Sequence, residues 1–114
     1  MTVKELADKM NFKNWTPDVN TDTHITGGYA GDMLSWVMGK ASEGNVWMTI
    51  MSNQNVAAAA LMAEVSCVVL TENVTPDEAL IEQANSKGLP LFASVLSTYE
   101  LSCRLGELLA NEQK

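Results

Sequence analysis

Histidine and cysteine are the side chains that most often serve as bases, nucleophiles or zinc ligands, and this chain has few of them. It contains one histidine, His24, and two widely separated cysteines, Cys67 and Cys103. A zinc site needs three or four close ligands, and neither cysteine stands in a CxxC pair. A lone histidine in a weak strand is more often structural than catalytic, and both cysteines are predicted to pack in the interior. We therefore predict no catalytic residue and no metal site.

A glycine-rich stretch, ITGGYAGDMLSWVMG, begins at Ile25 and raises the possibility of a phosphate-binding loop. Its glycines fit neither GxxxxGK[ST] nor GxGxxG, the spacings that bind phosphate through backbone N–H groups. We interpret the stretch as a strand ending at Tyr29, a tight turn, and a short helix that ends at Gly39. Asp32 is predicted to lie near the start of that helix, where a carboxylate suits the helix dipole and would repel an anion.

Other catalytic signatures are missing from the sequence. No serine stands in a GxSxG elbow, and nothing joins Asp32 and Glu72 as an acid–base pair. Without a nucleophile–base pair or a metal cluster, the chain is predicted not to be an enzyme, and no cofactor is expected.

Hydroxyl and amide side chains follow three apolar segments that are predicted to be parallel strands. Ligands of open parallel sheets bind beyond the carboxyl ends of the strands, where helix N-termini point N–H groups outward. The predicted ligand-binding residues are Thr49, Ser52, Asn53, Gln54, Asn55, Thr71, Glu72, Ser94, Ser97 and Thr98. The alternative interpretation is that these residues only cap their helices, because capping uses the same residue types.

The helices and strands that would position these residues follow from capping signals and apolar spacing. Capping boxes at Thr2–Glu5, Thr75–Glu78 and Ser97–Glu100 predict three helix starts. Further helices are predicted at Gly31–Gly39, which contains GDMLSWVMG, and at Val56–Glu64, which is apolar all round and so expected to be buried. The predicted strands are the weak segments Asn11–Trp15 and His24–Tyr29 and the buried segments Val46–Met51, Ser66–Thr71 and Pro90–Ser94.

From residue 46 onward the predicted order is strand-helix three times over. This alternation predicts an α/β fold with a mainly parallel sheet and helices on both of its faces. Whether residues 11–24 join the sheet is left open. Methionine and tryptophan at Met33, Trp36, Met38, Trp47, Met48, Met51 and Met62 are interpreted chiefly as core residues, although some could cover a dimer interface.

The composition limits the possible partners. With 114 residues, 46% of them apolar, the chain is long enough to bury a core. Its formal net charge of −7 argues against nucleic acid, which needs a basic stripe, and against an anionic membrane surface. No segment has the roughly 18 consecutive apolar residues of a membrane span, and the N-terminus has no signal-peptide pattern. We therefore expect a cytoplasmic protein with reduced cysteines.

The order of several segments resembles the DRTGG domain family, and most closely its small stand-alone members. These segments are GYAGDMLSWVMG, NVWMTI, NVAAAALMAEVSCVVLT, PDEALIEQA followed by GLPLF, and STYELSCRL. The resemblance runs from about residue 25 to the C-terminus and makes residues 1–114 a single DRTGG-like domain. Its marker loop is formed by Gly27, Gly28, Tyr29, Gly31 and Asp32. The resemblance implies a fold like the N-terminal domain of HPr kinase/phosphorylase and a sensing or assembly role.

The chain departs from the name-giving motif of that family. Asn53-Gln54 stands where many members carry an acidic-arginine pair, and Thr71-Glu72-Asn73 stands where they carry Thr-Gly-Gly. An arginine at the first position would supply a bidentate anion contact. Arg104 is the only arginine of the chain, and the last helix is expected to hold it away from the strand ends.

The function predicted from the resemblance and from the strand ends is that of a non-catalytic regulatory domain. It would sense a small molecule or nucleotide at the carboxyl ends of the strands. The alternative is an interaction or assembly module that docks on a redox enzyme associated with iron hydrogenase, or on a signalling enzyme. In either case we expect a homodimer.

Overall fold

The computed structural model of the chain describes residues 1–112, which form a five-stranded sheet and five helices. The helices are α1 (Val3–Met10), α2 (Leu34–Lys40), α3 (Asn55–Ala63), α4 (Glu78–Lys87) and α5 (Thr98–Glu112). The strands are β1 (Lys13–Asn14), β2 (Gly27–Ala30), β3 (Asn45–Thr49), β4 (Cys67–Leu70) and β5 (Leu91–Ala93). The strand-helix alternation predicted from residue 46 onward is confirmed.

The strand order in the sheet is β1-β5-β4-β3-β2. Strands β2 to β5 pair in parallel, while β1 runs antiparallel along the free edge of β5, with Lys13 opposite Ala93. Residues 11–24 thus join the sheet, but through a strand of only two residues. The rest of that segment is held by the N-terminus of α1, where the Val3 N–H donates to the Thr23 carbonyl at 3.0 Å.

Helices cover both faces of the sheet, as the alternation predicted. On one face, α2, α3 and α4 pack on alternate strand residues, among them Trp47 and Leu70. On the other face, α1 and α5 pack on the intervening residues, among them Met48 and Phe92. Every residue of β3 and β4 is buried, because central parallel strands are covered from both sides.

Two of the three predicted capping boxes start a helix. Thr2 and Glu5 bond reciprocally at α1, and the hydrogen bond from the Thr2 backbone N–H lowers the pKa of Glu5. At α5, the Glu100 N–H donates to the Ser97 hydroxyl at 3.1 Å. The predicted capping box at Thr75 is wrong, because α4 begins only at Glu78 and its N-cap residue, Asp77, makes no side-chain capping hydrogen bond. The Asp77 N–H donates instead to the Ser52 carbonyl at 2.9 Å, a tertiary bond that local pattern does not reveal.

Several helix and strand boundaries in the structure differ from those predicted from the sequence. Gly39 lies inside α2, which ends at Lys40 with an extended Ala41 at its C-cap, so the prediction that Gly39 ends the helix is wrong. Strand β2 ends at Ala30 and excludes His24, which forms an isolated bridge with Thr2. Gly88 ends α4 in the left-handed conformation at φ 70°, which is typical of glycine at a helix C-terminus.

The core prediction fails for one group of apolar side chains. Met33, Trp36, Met38 and Met62 are exposed, whereas Trp47 and Met48 are buried. The reason is that α2 and α3 each cover the sheet with one side only, so the opposite side of even an apolar helix faces solvent. Cys103 is likewise exposed on the outer side of α5, which corrects the prediction of interior packing, while Cys67 is buried as predicted.

Candidate functional site

The carboxyl ends of β3, β4 and β5 lie side by side at one edge of the sheet. Thr49, the last residue of β3, pairs with Leu70, and Leu70 pairs with Ala93 of β5. Thr71 and Ser94 follow these strands and are buried. Parallel pairing therefore brings together the three polar segments that the sequence had placed at separate strand ends.

The glycine-rich stretch contributes to this edge through Asp32. The Thr49 hydroxyl donates to Asp32 Oδ1 at 2.7 Å, and the Ile50 N–H donates to the same oxygen at 3.0 Å. Asp32 lies near the start of α2, as predicted, immediately before the N-cap Met33, but its hydrogen bonds go to the end of β3. The stretch continues the pairing of β2 with β3, since the Gly31 N–H donates to the Met48 carbonyl at 3.1 Å, and the Trp47 indole N–H donates to the Gly31 carbonyl at 2.9 Å.

The end of β4 is joined to the start of α5. The hydroxyls of Thr71 and Thr98 lie 2.6 Å apart, and the Thr98 N–H donates to the Glu72 carboxylate at 3.4 Å. Glu72 and Asn73 each adopt φ 60°, the left-handed region. Their N–H groups donate to the carbonyls of Leu96 and Ser94. The turn after β4 is thus fixed against the turn after β5, in a backbone conformation that glycine adopts with least strain.

Other predicted residues stabilise their own turns. The Leu96 N–H donates to the Ser94 hydroxyl at 3.1 Å, and the Asn55 N–H donates to the Asn53 side chain at 2.9 Å. Within residues 1–112, the side chains of Ser52, Gln54 and Asn55 make no hydrogen bond, and the last two are exposed. The turn after β3 therefore has polar side chains that are available to a ligand.

Two grooves reach this edge of the sheet. One, of about 350 Å³, lies between α3 and α4 and is lined by Gln54, Asn55 and Lys87 among others. The second, of about 390 Å³, is lined by Asn73 and Ser94 of the strand-end turns. A larger cavity of about 660 Å³ lies at the opposite edge, where Gly44, Ser66 and Pro90 precede the strands, and none of the predicted ligand-binding residues lines it.

Arg104 lies in the second groove, together with Lys13 and Trp15. The expectation that α5 holds this arginine away from the strand ends is therefore wrong. Leu101 and Leu105 of the same helix are buried. The sequence did not reveal that the turns after β4 and β5 lie beside α5. It also did not reveal that β1 brings Lys13 to the same groove.

The buried thiol and the acidic groups define the remaining chemistry of the described residues. Burial raises the pKa of Cys67 to about 12, so this thiol remains protonated and unreactive at neutral pH. Asp32 and Glu72 are exposed carboxylates beside the strand ends. In residues 1–112, no three side chains of histidine, cysteine, aspartate or glutamate come together as metal ligands.

These observations define a class: a small α/β domain with a mostly parallel sheet, helices on both faces and polar strand ends. The chain belongs to the DRTGG domain family, whose sequence model matches residues 19–108. The family resemblance and the fold class predicted from the sequence are confirmed. No curated protein sequence matches the chain.

A solved structure with a similar fold is known from Clostridium perfringens. It contains the CBS and DRTGG domains of the regulatory region of a pyrophosphatase, complexed with the activator diadenosine tetraphosphate. The TM-score is 0.66 at 15% sequence identity, and the match covers 91% of this chain and 45% of that one. The present chain therefore spans less than half of that regulatory region. Among residues 1–112, no helix is long and apolar enough to cross a membrane.

Proposed function

We propose that this DRTGG domain is a non-catalytic regulatory domain that senses a small molecule or nucleotide at the carboxyl ends of β3, β4 and β5. The observation that carries the proposal is the convergence of three polar turns at one edge of the sheet. Helices α3, α4 and α5 all begin at this edge, and backbone N–H groups at helix starts favour polar ligands.

We assign two roles to the residues at the strand ends. Thr49, Thr71, Ser94 and Thr98 hold the turns in place through the bonds described above. Ser52, Gln54 and Asn55 are the side chains offered to a ligand. The C. perfringens pyrophosphatase supports a regulatory role, because its DRTGG domain belongs to a regulatory region that was crystallised with an activator.

A thermal-shift screen tests the proposal. Nucleotides, small organic acids and neutral metabolites are added at millimolar concentration, since a ligand that binds the native state raises the melting temperature by mass action. The expected hit loses its effect in the double variant Gln54→Ala, Asn55→Ala. Asn111→Ala, an exposed amide on α5, is the matched control and should respond as the wild type. A screen without any shift would contradict sensing.

The exposed apolar side chains of α2 and α3 support a second candidate function. Met33, Trp36 and Met62 are 60%, 56% and 72% exposed, and the two helices pack on each other. Large exposed apolar patches mark interaction surfaces. The alternative proposal is an assembly module that docks through this face on a redox or signalling enzyme. With either function, we propose a homodimer in the cytoplasm.

Light scattering after size-exclusion chromatography tests the homodimer. If the α2–α3 face is the interface, the double variant Trp36→Ser, Met62→Ser should elute with a monomer mass. Tyr99→Ser removes an equally exposed apolar side chain on α5 and should leave the mass unchanged. A monomer mass for the wild type at high concentration would exclude the homodimer. Docking on an enzyme would then be tested by binding measurements with that enzyme.

A further inference from the structure

We propose that the groove formed by β1, the turns after β4 and β5, and α5 binds a small molecule that carries a phosphate group. This inference goes beyond the proposed function, because the groove adjoins the turns after β4 and β5 but is lined by none of Ser52, Gln54 and Asn55. The groove has a volume of about 390 Å³, within the range of roughly 300–1,000 Å³ that is typical of ligand pockets.

The charge of this groove is opposite to that of the chain. The sequence has 14 acidic and 7 basic residues, yet the groove is lined by Lys13 and Arg104 and by no aspartate or glutamate of residues 1–112. The larger cavity at the other edge of the sheet is lined instead by Glu43 and Glu64. A local excess of positive charge in an acidic protein favours an anionic ligand at this groove.

Both cations are available to a ligand. Within residues 1–112, neither Lys13 nor Arg104 forms an ion pair with an acidic side chain. The Lys13 ammonium lies 4.2 Å from the centre of the Trp15 ring, a cation–π contact that positions it at the groove. The guanidinium of Arg104 can bond two oxygens of one phosphate, and two cations suit a phosphate monoester, which carries nearly two negative charges at neutral pH.

Neutral donors complete the polar lining. Asn73 presents its amide from a left-handed turn, with its backbone N–H already bonded to Ser94. The indole nitrogen of Trp15 is buried without a hydrogen-bond partner among the described residues, so the ring contributes apolar surface to the groove.

The rest of the groove suits an uncharged organic body. Apolar side chains of Met10, Trp15, Val74 and Leu96 line it beside the polar groups. Inorganic phosphate would leave this wall unused, whereas a nucleoside monophosphate offers both a dianionic group and a flat apolar ring. We therefore take AMP as the probe, with adenosine and inorganic phosphate as its two halves.

Isothermal titration calorimetry of the full chain at low salt tests the proposal. AMP is expected to bind more tightly than either adenosine or phosphate, and its affinity should fall as salt screens the charges. Lys13→Gln and Arg104→Gln should each weaken AMP binding about five- to tenfold, because each removes a charge-assisted contact. Arg104→Lys should recover part of the loss, since it restores the charge without the bidentate geometry.

Lys40→Gln is the matched control for Lys13→Gln. The Lys40 ammonium also lies over a tryptophan ring, 5.0 Å from the centre of Trp36, but at the end of α2 and outside the groove. This variant should bind AMP as the wild type does. Circular dichroism confirms that each variant is folded.

Three results would overturn the inference. Equal binding of AMP and adenosine would show that the phosphate is not recognised. Unchanged AMP affinity in both groove variants would place the site elsewhere, without contradicting sensing at the strand ends. Failure of AMP and phosphate to bind at millimolar concentration would exclude the phosphate ligand. Only the absence of any hit in the wider thermal-shift screen would contradict the proposed function itself.

Discussion

The hydroxyl of Thr49 donates a 2.7 Å hydrogen bond to the carboxylate of Asp32 and so joins the glycine-rich stretch to the end of the central strand β3. Thr49 is fully buried, while Asp32 reaches it from the exposed turn that follows β2. The same carboxylate oxygen accepts the Ile50 N–H. One side chain of the marker loop thereby fixes the position at which β3 ends and the turn of Ser52 to Asn55 begins.

This bond predicts that the two residues are energetically coupled. Asp32→Ala should lower the free energy of unfolding by about 1–2 kcal/mol, because it leaves the buried Thr49 hydroxyl without its acceptor. Asp32→Asn keeps an acceptor oxygen and should cost less. Urea denaturation of Asp32→Ala, Thr49→Val and the double variant measures the coupling, and strictly additive losses would contradict it.

The left-handed backbone at Glu72 makes glycine the favoured replacement there. Both Glu72→Gly and Glu72→Ala remove the contact with the Thr98 N–H, but alanine retains the steric cost of positive φ. The glycine variant should therefore be the more stable by about 1 kcal/mol. The order should reverse at Glu78 in the first turn of α4, where alanine favours the helix. The same order at both positions would refute this account.

The two helix-end glycines should respond in opposite directions to alanine. Gly39 lies within α2, and a methyl group added there meets no neighbouring atom, so Gly39→Ala should stabilise the protein by about 0.5–1 kcal/mol. Gly88 is left-handed at φ 70°, so Gly88→Ala should destabilise it by about 1 kcal/mol. Thermal denaturation of both variants distinguishes the two environments.

The cysteines should differ in their reactivity. Cys103 is exposed, whereas Cys67 is buried in β4 and burial raises its pKa to about 12. A thiol reagent at pH 8 should modify one cysteine of the native protein and two after denaturation, because the thiolate is the reactive form. Native Cys103→Ser should not react. Rapid modification of that variant would show that β4 opens readily.

The pKa of Cys67 also predicts a loss of stability in alkali. The unfolded chain releases this proton above about pH 8.5, whereas the native protein keeps it up to about pH 12. The unfolded state therefore binds fewer protons in this range, and stability falls by as much as about 1.4 kcal/mol per pH unit. Urea denaturation at several alkaline pH values should show this extra fall in the wild type and not in Cys67→Val. Parallel curves would disprove it.

The elements that local pattern defines were predictable from the amino-acid sequence. The Thr2 and Ser97 caps, the end of α4 at Gly88 and the buried strands follow from the preferences of neighbouring residues and from apolar spacing. The alternation of strands and helices predicted a parallel sheet. A parallel sheet in turn places Thr49, Thr71 and Ser94 at the same edge. Whether that edge binds a ligand stays a prediction.

Only the tertiary structure decided which distant side chains meet. The Thr49 hydroxyl donates to Asp32, and the Asp77 N–H donates to the Ser52 carbonyl at the start of α4, where the sequence predicted a capping box from Thr75. Lys13 shares a groove with Arg104 because a two-residue strand pairs with β5. The sequence alone determined the helices, the buried strands and the kind of sheet, since these depend on residues close in the chain. The groove and its charge depend on pairing between Lys13 of β1 and Ala93 of β5, about 80 residues apart in the chain, which no local periodicity encodes.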